Sequence, residues 1–239
     1  EPFKDFEKRL NDINRTYSDK SLSFNKLQFN NVWFRYNEEM DYVFQDKTLE
    51  INCTDHKIIG ITGESGKGKS SILKILIKLH AIEKGEVLID TINIKDIDPD
   101  YIRDNITYIN QNARLFDKTV LENILYGCKD ESICREHYKK ILSYPKIKNL
   151  YKNVDLNNDA SGYSGENLSG GQRQIVNIIS GLVNPSKILI LDEPTNALDG
   201  DLKEELLEII KYFKPYKQSI LIISHDESVF SIFDEKIEM

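Results

Sequence analysis

Eight consecutive residues, Gly63-Glu64-Ser65-Gly66-Lys67-Gly68-Lys69-Ser70, have the types and spacing to hold a phosphate. They match GxxxxGK[ST], with the apolar run 57–62 before them and an apolar helical pattern over 71–79 after. Glycines let the backbone fold around an anion and aim successive N–H groups at it. The start of the following helix adds positive potential. In such a loop Lys69 sets a point charge on the β- and γ-phosphates. Ser70 offers its hydroxyl to Mg²⁺, and Ser71 is counted with the binding residues.

Two more groups could act with it. Ile188-Leu189-Ile190-Leu191 is an apolar run that ends in Asp192-Glu193. A carboxylate at the carboxyl end of a buried parallel strand lies where such sheets bind ligands. Asp192 is predicted to hold the metal through water, and Glu193 to accept a proton from an attacking water. The third group, Leu168-Ser169-Gly170-Gly171-Gln172, opens a helical stretch over 173–183. Ser and two glycines at a helix start form another anion-binding turn. One nucleotide has one terminal phosphate, already cradled by the first loop. The second turn therefore points to a nucleotide on another subunit.

These groups need strands and helices to hold them. Residues 27–29 and 32–36 alternate like strands, with turns expected at Asn30-Asn31 and Asn37-Glu38-Glu39, and 48–53 alternates again. The first part after residue 24 therefore reads as antiparallel β structure. The near-continuous apolar runs at 188–191 and 220–223 suit parallel strands covered on both faces. Further strands are expected at 85–89 and 108–109, and a helix at 201–213. Residues 119–183 read as mostly helical, broken near Pro145 and over 155–165. Strands alternating with helices predict an α/β fold around a parallel core. Residues 1–24, with Phe3, Phe6, Leu10, Ile13 and Tyr17 at helical spacing, predict a short amphipathic helix and a linker.

Composition narrows the class. The 239 residues correspond to between one and two domains at roughly 150 residues each. With 40% hydrophobic and 30% charged residues, the chain is neither collagen-like, nor low-complexity, nor wholly disordered. The net charge of −7 removes the simplest argument for a nucleic-acid partner. No run approaches the ~18 apolar residues of a membrane span. The opening Glu1-Pro2-Phe3-Lys4 is not a signal peptide and lacks an initiator Met, so a processed chain or an excised piece is expected. Cys53, Cys128 and Cys134 form no CxxC and are expected to be reduced thiols in a reducing compartment. Asn-x-Ser/Thr triplets such as Asn52-Cys53-Thr54 read as chance matches in a chain this rich in Asn.

Taken in order, the three groups resemble the ATP-binding cassette (ABC) ATPases. The likeness to their nucleotide-binding domain covers residues 25–239. It implies a P-loop NTPase with a RecA-like parallel-sheet core, an N-terminal antiparallel β subdomain and an α-helical signature subdomain at about 112–183. It implies ATP and Mg²⁺ as ligands. It also makes Gln111 a sensor of Mg²⁺ and the attacking water, His225 the switch histidine on the γ-phosphate, and Asp199, in Asn196-Ala197-Leu198-Asp199, part of the D-loop. Tyr36 is the expected platform for adenine. Trp33 is its rival, and three residues along a strand the two face opposite ways, so only one can serve.

The segment 85–127 is similar to the exporter type, whose cassette follows a set of transmembrane helices. Residues 1–24 then resemble the linker from that domain. This implies an ATPase that powers export from the cytoplasmic face of a membrane, or the equivalent face of an organelle. Its partners would be a second cassette, identical or not, and a transmembrane domain. A soluble importer subunit, a DNA-repair or translation ATPase, and an inactive cassette are the alternatives. About a hundred residues separate Ser70 from Leu168, too few for the coiled coil of the repair proteins. Glu193 and His225 speak against an inactive cassette. The chain departs from the family at Tyr163, Ile175, Ser180 and Thr91, away from the phosphate chemistry.

Overall fold

The computed structural model describes residues 21–64, 66–112 and 114–239. The helix expected within 1–24 falls, through residue 20, outside the described residues. Residues 23–26 are pinned to the body by Asp90, whose carboxylate accepts from the backbone N–H groups of Ser23, Phe24, Asn25 and Lys26, while the Leu22 N–H donates to the Tyr101 hydroxyl. Leu22 and Phe24 are buried there.

β1 (Lys26–Phe34), β2 (Phe44–Asn52), β4 (Lys84–Ile89) and β5 (Ile92–Asn93) form an antiparallel sheet in the order β2-β1-β4-β5. The turn expected at Asn30-Asn31 is instead a bulge inside one continuous strand. The register shifts between Phe29 and Val32, and Asn31 takes φ 52°. Asparagine tolerates that left-handed conformation. Without the bulge, Leu27 and Phe29 would face opposite to Val32 and Phe34, yet all four are buried.

β3 (Lys57–Thr62), β6 (Ile106–Ile109), β7 (Ile188–Asp192), β8 (Ser219–Ile223) and β9 (Glu235–Glu238) form the parallel sheet, ordered β6-β7-β8-β3-β9. Its apolar runs feed two cores by alternation. Ile58, Leu189, Leu191, Ile220 and Ile222 join the core under the helices. Ile59, Ile61, Ile188, Ile190, Leu221 and Ile223 join the core shared with the antiparallel sheet. Period-2 side chains on strands covered on both faces require this.

Helix α1 (Lys69–Leu76) leaves β3 through the Gly-rich loop, and α2 (Pro99–Asn105) precedes β6. The helical region holds α3 (Val120–Leu125), α4 (Glu131–Leu142), α5 (Pro145–Leu150) and α6 (Gly170–Val183). The break expected near Pro145 is there: Pro145 opens α5, where its missing N–H costs nothing. Helix α7 (Gly200–Phe213) links β7 to β8.

A second expectation is overturned, after the turn at Asn30-Asn31. Cys128 and Cys134 are joined in a disulfide, and only Cys53 is a free thiol. Asp130 caps the start of α4 and turns the chain back on α3, bringing the two Cα atoms to 6.6 Å, within disulfide range. Spacing along the chain does not reveal that reversal. Cysteine usage therefore gives no support for a reducing compartment.

Candidate nucleotide site

The phosphate loop runs from the end of β3 to α1. Its last residue, Gly68, caps α1 with φ 84° and no side-chain hydrogen bond, so the first N–H groups of the helix are left for a ligand. A Cβ at Gly68 would lie 2.5 Å from the Phe44 ring and 2.6 Å from Val43. Both the backbone angle and the close approach of the loop 43–44 therefore demand glycine. Lys69 is 8% exposed, and its Nζ donates to the carbonyls of Gly63 (2.9 Å) and Glu64 (2.8 Å). The loop thus holds its own lysine over its centre.

β7 lies inside the sheet and delivers Asp192 and Glu193, 6% and 8% exposed, to its carboxyl end. Asp192 Oδ2 accepts from the Tyr108 hydroxyl at 2.8 Å. Burial, then the Asp192 charge, pushes the Tyr108 phenol well above its ordinary value. Glu193 has φ 51°, a backbone state costing a bulky residue about 1–3 kcal/mol. Its N–H donates to Ile223 O at 2.9 Å, and the buried Gln174 amide on α6 donates to Glu193 O (3.4 Å) and Pro194 O (3.2 Å). Glu193 Oε1 lies 2.6 Å from His225 Nδ1, while Oε2 is buried with no hydrogen-bond partner among the described residues. Glu193 is a wall residue of a cleft, where a carboxylate can accept a proton. His225 sits next to Asp226, whose carboxyl is held far below its usual range, first by Lys203 and then by Ser228.

These groups meet in an open cleft of about 340 Å³. Of the residues singled out from the sequence, Tyr36, Gly66, Gly68, Lys69, Ser70, Ser71, Gln111, Asp192, Glu193 and His225 line it. Tyr36 and Ser71 share a hydrogen bond of 2.7 Å. Trp33 is elsewhere, edge-on to Tyr42 at 5.3 Å and under Lys84. Gly63, Glu64 and Lys67 belong to the loop but not to the cleft wall, and nothing is described for Ser65. Ser70, Asp192 and Gln111 offer oxygen donors on this wall, the donor type that a hard cation such as Mg²⁺ takes.

Ser169, Gly170, Gly171, Gln172 and Asp199 do not line this cleft. Ser169 and Gln172 form a capping box on α6 (Gln172 N to Ser169 Oγ 3.2 Å, Ser169 N to Gln172 Oε1 2.8 Å). Asp199 caps α7. A Cβ on Gly171 would come 3.4 Å from Ala197 O, so the two turns are neighbours on one surface. Sequence reasoning missed Tyr108 and Gln174. The signals were a tyrosine inside the apolar strand Ile106–Ile109 and an amide on the buried face of α6.

The family profile described as "ABC transporter" matches residues 44–196. The chain is 34% identical over 215 residues to an alpha-factor-transporting ATPase of Candida albicans, covering 88% of this chain and 16% of that protein. It is 30% identical to an ATP-dependent lipid A-core flippase of Haemophilus influenzae, with 88% and 35% covered. It is 30% identical to the lactococcin-G-processing and transport ATP-binding protein LagD of Lactococcus lactis, with 96% and 33% covered. The chain thus spans about a third or less of the length of these relatives. A solved structure of a bacterial Atm1-family ABC exporter with ATP bound superposes on 97% of the chain and 41% of its own, with TM-score 0.82 and 23% identity, which speaks to the fold. No helix among the described residues is long and apolar enough to cross a membrane. The phosphate loop, the paired carboxylates and the matched profile lead to one conclusion: the chain belongs to the ABC transporter family, as an ATP-binding ATPase domain.

Proposed function

We propose that this domain powers export across a membrane by hydrolysing Mg-ATP at two composite sites in a head-to-tail dimer, each with a cleft from one chain and the turn 169–172 from the other. The observation that carries this reading is the separation of the two anion-binding turns. The cleft of Lys69 and Glu193 lacks Ser169, and the Ser169 turn stands exposed on another part of the surface. The second domain, the transmembrane domain beyond residues 1–24 and the place on the cytoplasmic face are part of the same reading. Support for export comes from the names of the relatives.

In the cleft, the α1 N–H groups and Lys69 bind the phosphates, and Tyr36 stacks on the base. Ser70, Asp192 and Gln111 would hold Mg²⁺, which neutralises charge developing on the phosphates. Glu193 takes the proton of the attacking water, while His225, hydrogen-bonded to Glu193 Oε1, orients the carboxylate; the family likeness assigns His225 to the γ-phosphate. The leaving group departs as ADP and the product is phosphate. Positioning and charge stabilisation supply the catalysis.

Complementation tests the shared sites. Lys69→Ala damages a chain's own cleft, and Ser169→Arg damages the turn it offers to a neighbour. Each variant alone should lack ATPase activity. In a mixed dimer one site keeps both intact halves, so mixing should restore part of the activity. No recovery, with mixed dimers shown to form, rejects the head-to-tail arrangement.

A further inference from the structure

Asp192 carries a hydrogen bond that the phosphate chemistry does not explain. β6 lies at the edge of the parallel sheet beside β7, with Tyr108 in register with Ile190. Asp192 is two residues further along β7, on the same face as Ile190. The tyrosine side chain is long enough to run diagonally across the strand pair, and its hydroxyl reaches Asp192 Oδ2 at 2.8 Å. The ring packs among the apolar side chains of the core shared by the two sheets, so the hydroxyl is delivered by a fixed platform.

We propose that Tyr108 is a positioning residue that orients the Asp192 carboxylate for the divalent cation by donating to Oδ2. This rests on the reading of Asp192 as a metal-holding residue. The terminal torsion of an aspartate is soft, and a buried carboxylate without a fixed donor samples several orientations. A donor on one oxygen fixes the carboxylate plane and leaves Oδ1 to accept from the cation's hydration shell. Outer-shell donors of this kind tune metal affinity by about 10- to 100-fold where the carboxylate ligates directly. Through an intervening water the lower end, about tenfold, applies.

The test uses Mn²⁺ as the probe and needs no turnover. Electron paramagnetic resonance gives the Mn²⁺ affinity of the full chain with ADP bound, and a fluorescent nucleotide gives nucleotide affinity in EDTA. Tyr108→Phe keeps the ring and removes only the hydroxyl. It should weaken Mn²⁺ by about tenfold and leave nucleotide affinity in EDTA unchanged. In an Asp192→Asn background the same substitution should add no further loss. Unchanged Mn²⁺ affinity in Tyr108→Phe overturns the proposal. So does an equal loss in the Asn background, because Tyr108 would then not act through Asp192. A loss already present in EDTA reduces Tyr108 to a packing role and also overturns it. If the unsubstituted chain held no Mn²⁺ with ADP, the metal-site reading itself would fail, a result distinct from these.

Discussion

At the scale of single residues, Tyr36, the proposed base platform, and Trp33 stand three residues apart in different surroundings. β1 ends at Phe34, so Tyr36 lies just past the strand, its hydroxyl on Ser71 and its ring on the cleft wall. Trp33 remains in the strand, packed on Tyr42 with Lys84 over its ring. Tyr36→Ala should weaken nucleotide binding by about 1–3 kcal/mol, the range for stacking a base on an aromatic ring. Tyr36→Trp should be tolerated, and GTP should bind comparably to ATP, because every base offers a π-face. Trp33→Ala should leave affinity unaltered. Titration with a fluorescent nucleotide decides, and the opposite pattern for the two alanine variants would move the platform to Trp33.

At the scale of elements, α6 begins at the Ser169 turn, and its other end meets a buried lysine from the segment just before β8. Lys217, 2% exposed, donates to the carbonyl of Asn184, the C-cap residue of α6. A cation there suits the helix dipole. Burial nevertheless dominates and lowers the Lys217 ammonium from its ordinary 10.5 to about 7. Between those values the unfolded chain binds a proton that the folded chain has released. Stability from this group therefore rises with pH across that window; it is lost as pH falls from 10.5 and the loss levels off below about 7, where both states hold the proton. Lys217→Met removes the titration while keeping most of the buried volume. Its stability relative to the unsubstituted chain, from urea unfolding, should be most favourable near pH 7 and decline towards pH 10. Parallel pH curves for the two proteins would show that Lys217 stays charged in the fold.

At the scale of the molecule, two copies with a net charge of −7 each repel at long range. ATP would bridge them at both composite sites. The isolated domain should sediment as a monomer without nucleotide. Glu193→Gln keeps the phosphate grip and loses the proton acceptor, so hydrolysis should fall by about 10²- to 10⁴-fold. Mg-ATP should then trap the variant as a dimer, since ligand bound only to the associated form drives association. A Glu193→Gln protein that remains monomeric with Mg-ATP at high concentration would count against composite sites.

The sequence by itself determined whatever is carried by contiguous backbone. The phosphate loop is legible because Gly68 sets one left-handed angle at one helix start, and Lys69 and Ser70 follow it directly. The parallel core is legible because residues 188–191 and 220–223 are apolar on both faces, which only a doubly covered strand requires. The capping box of Ser169 and Gln172 can be read in the same way, within one turn of helix. Tertiary structure alone decided what depends on residues distant in the chain. Tyr108 meets Asp192 across 84 residues and His225 meets Glu193 across 32. Strand order and register place those partners, and neither is written in any one segment. The bulge at Asn31 could not be told from a turn, because both use the same left-handed asparagine. Cys128 and Cys134 are close in sequence, but they bond because the turn capped by Asp130 brings Cys128 beside Cys134 at the start of α4, where Cys134 is buried in the helical core.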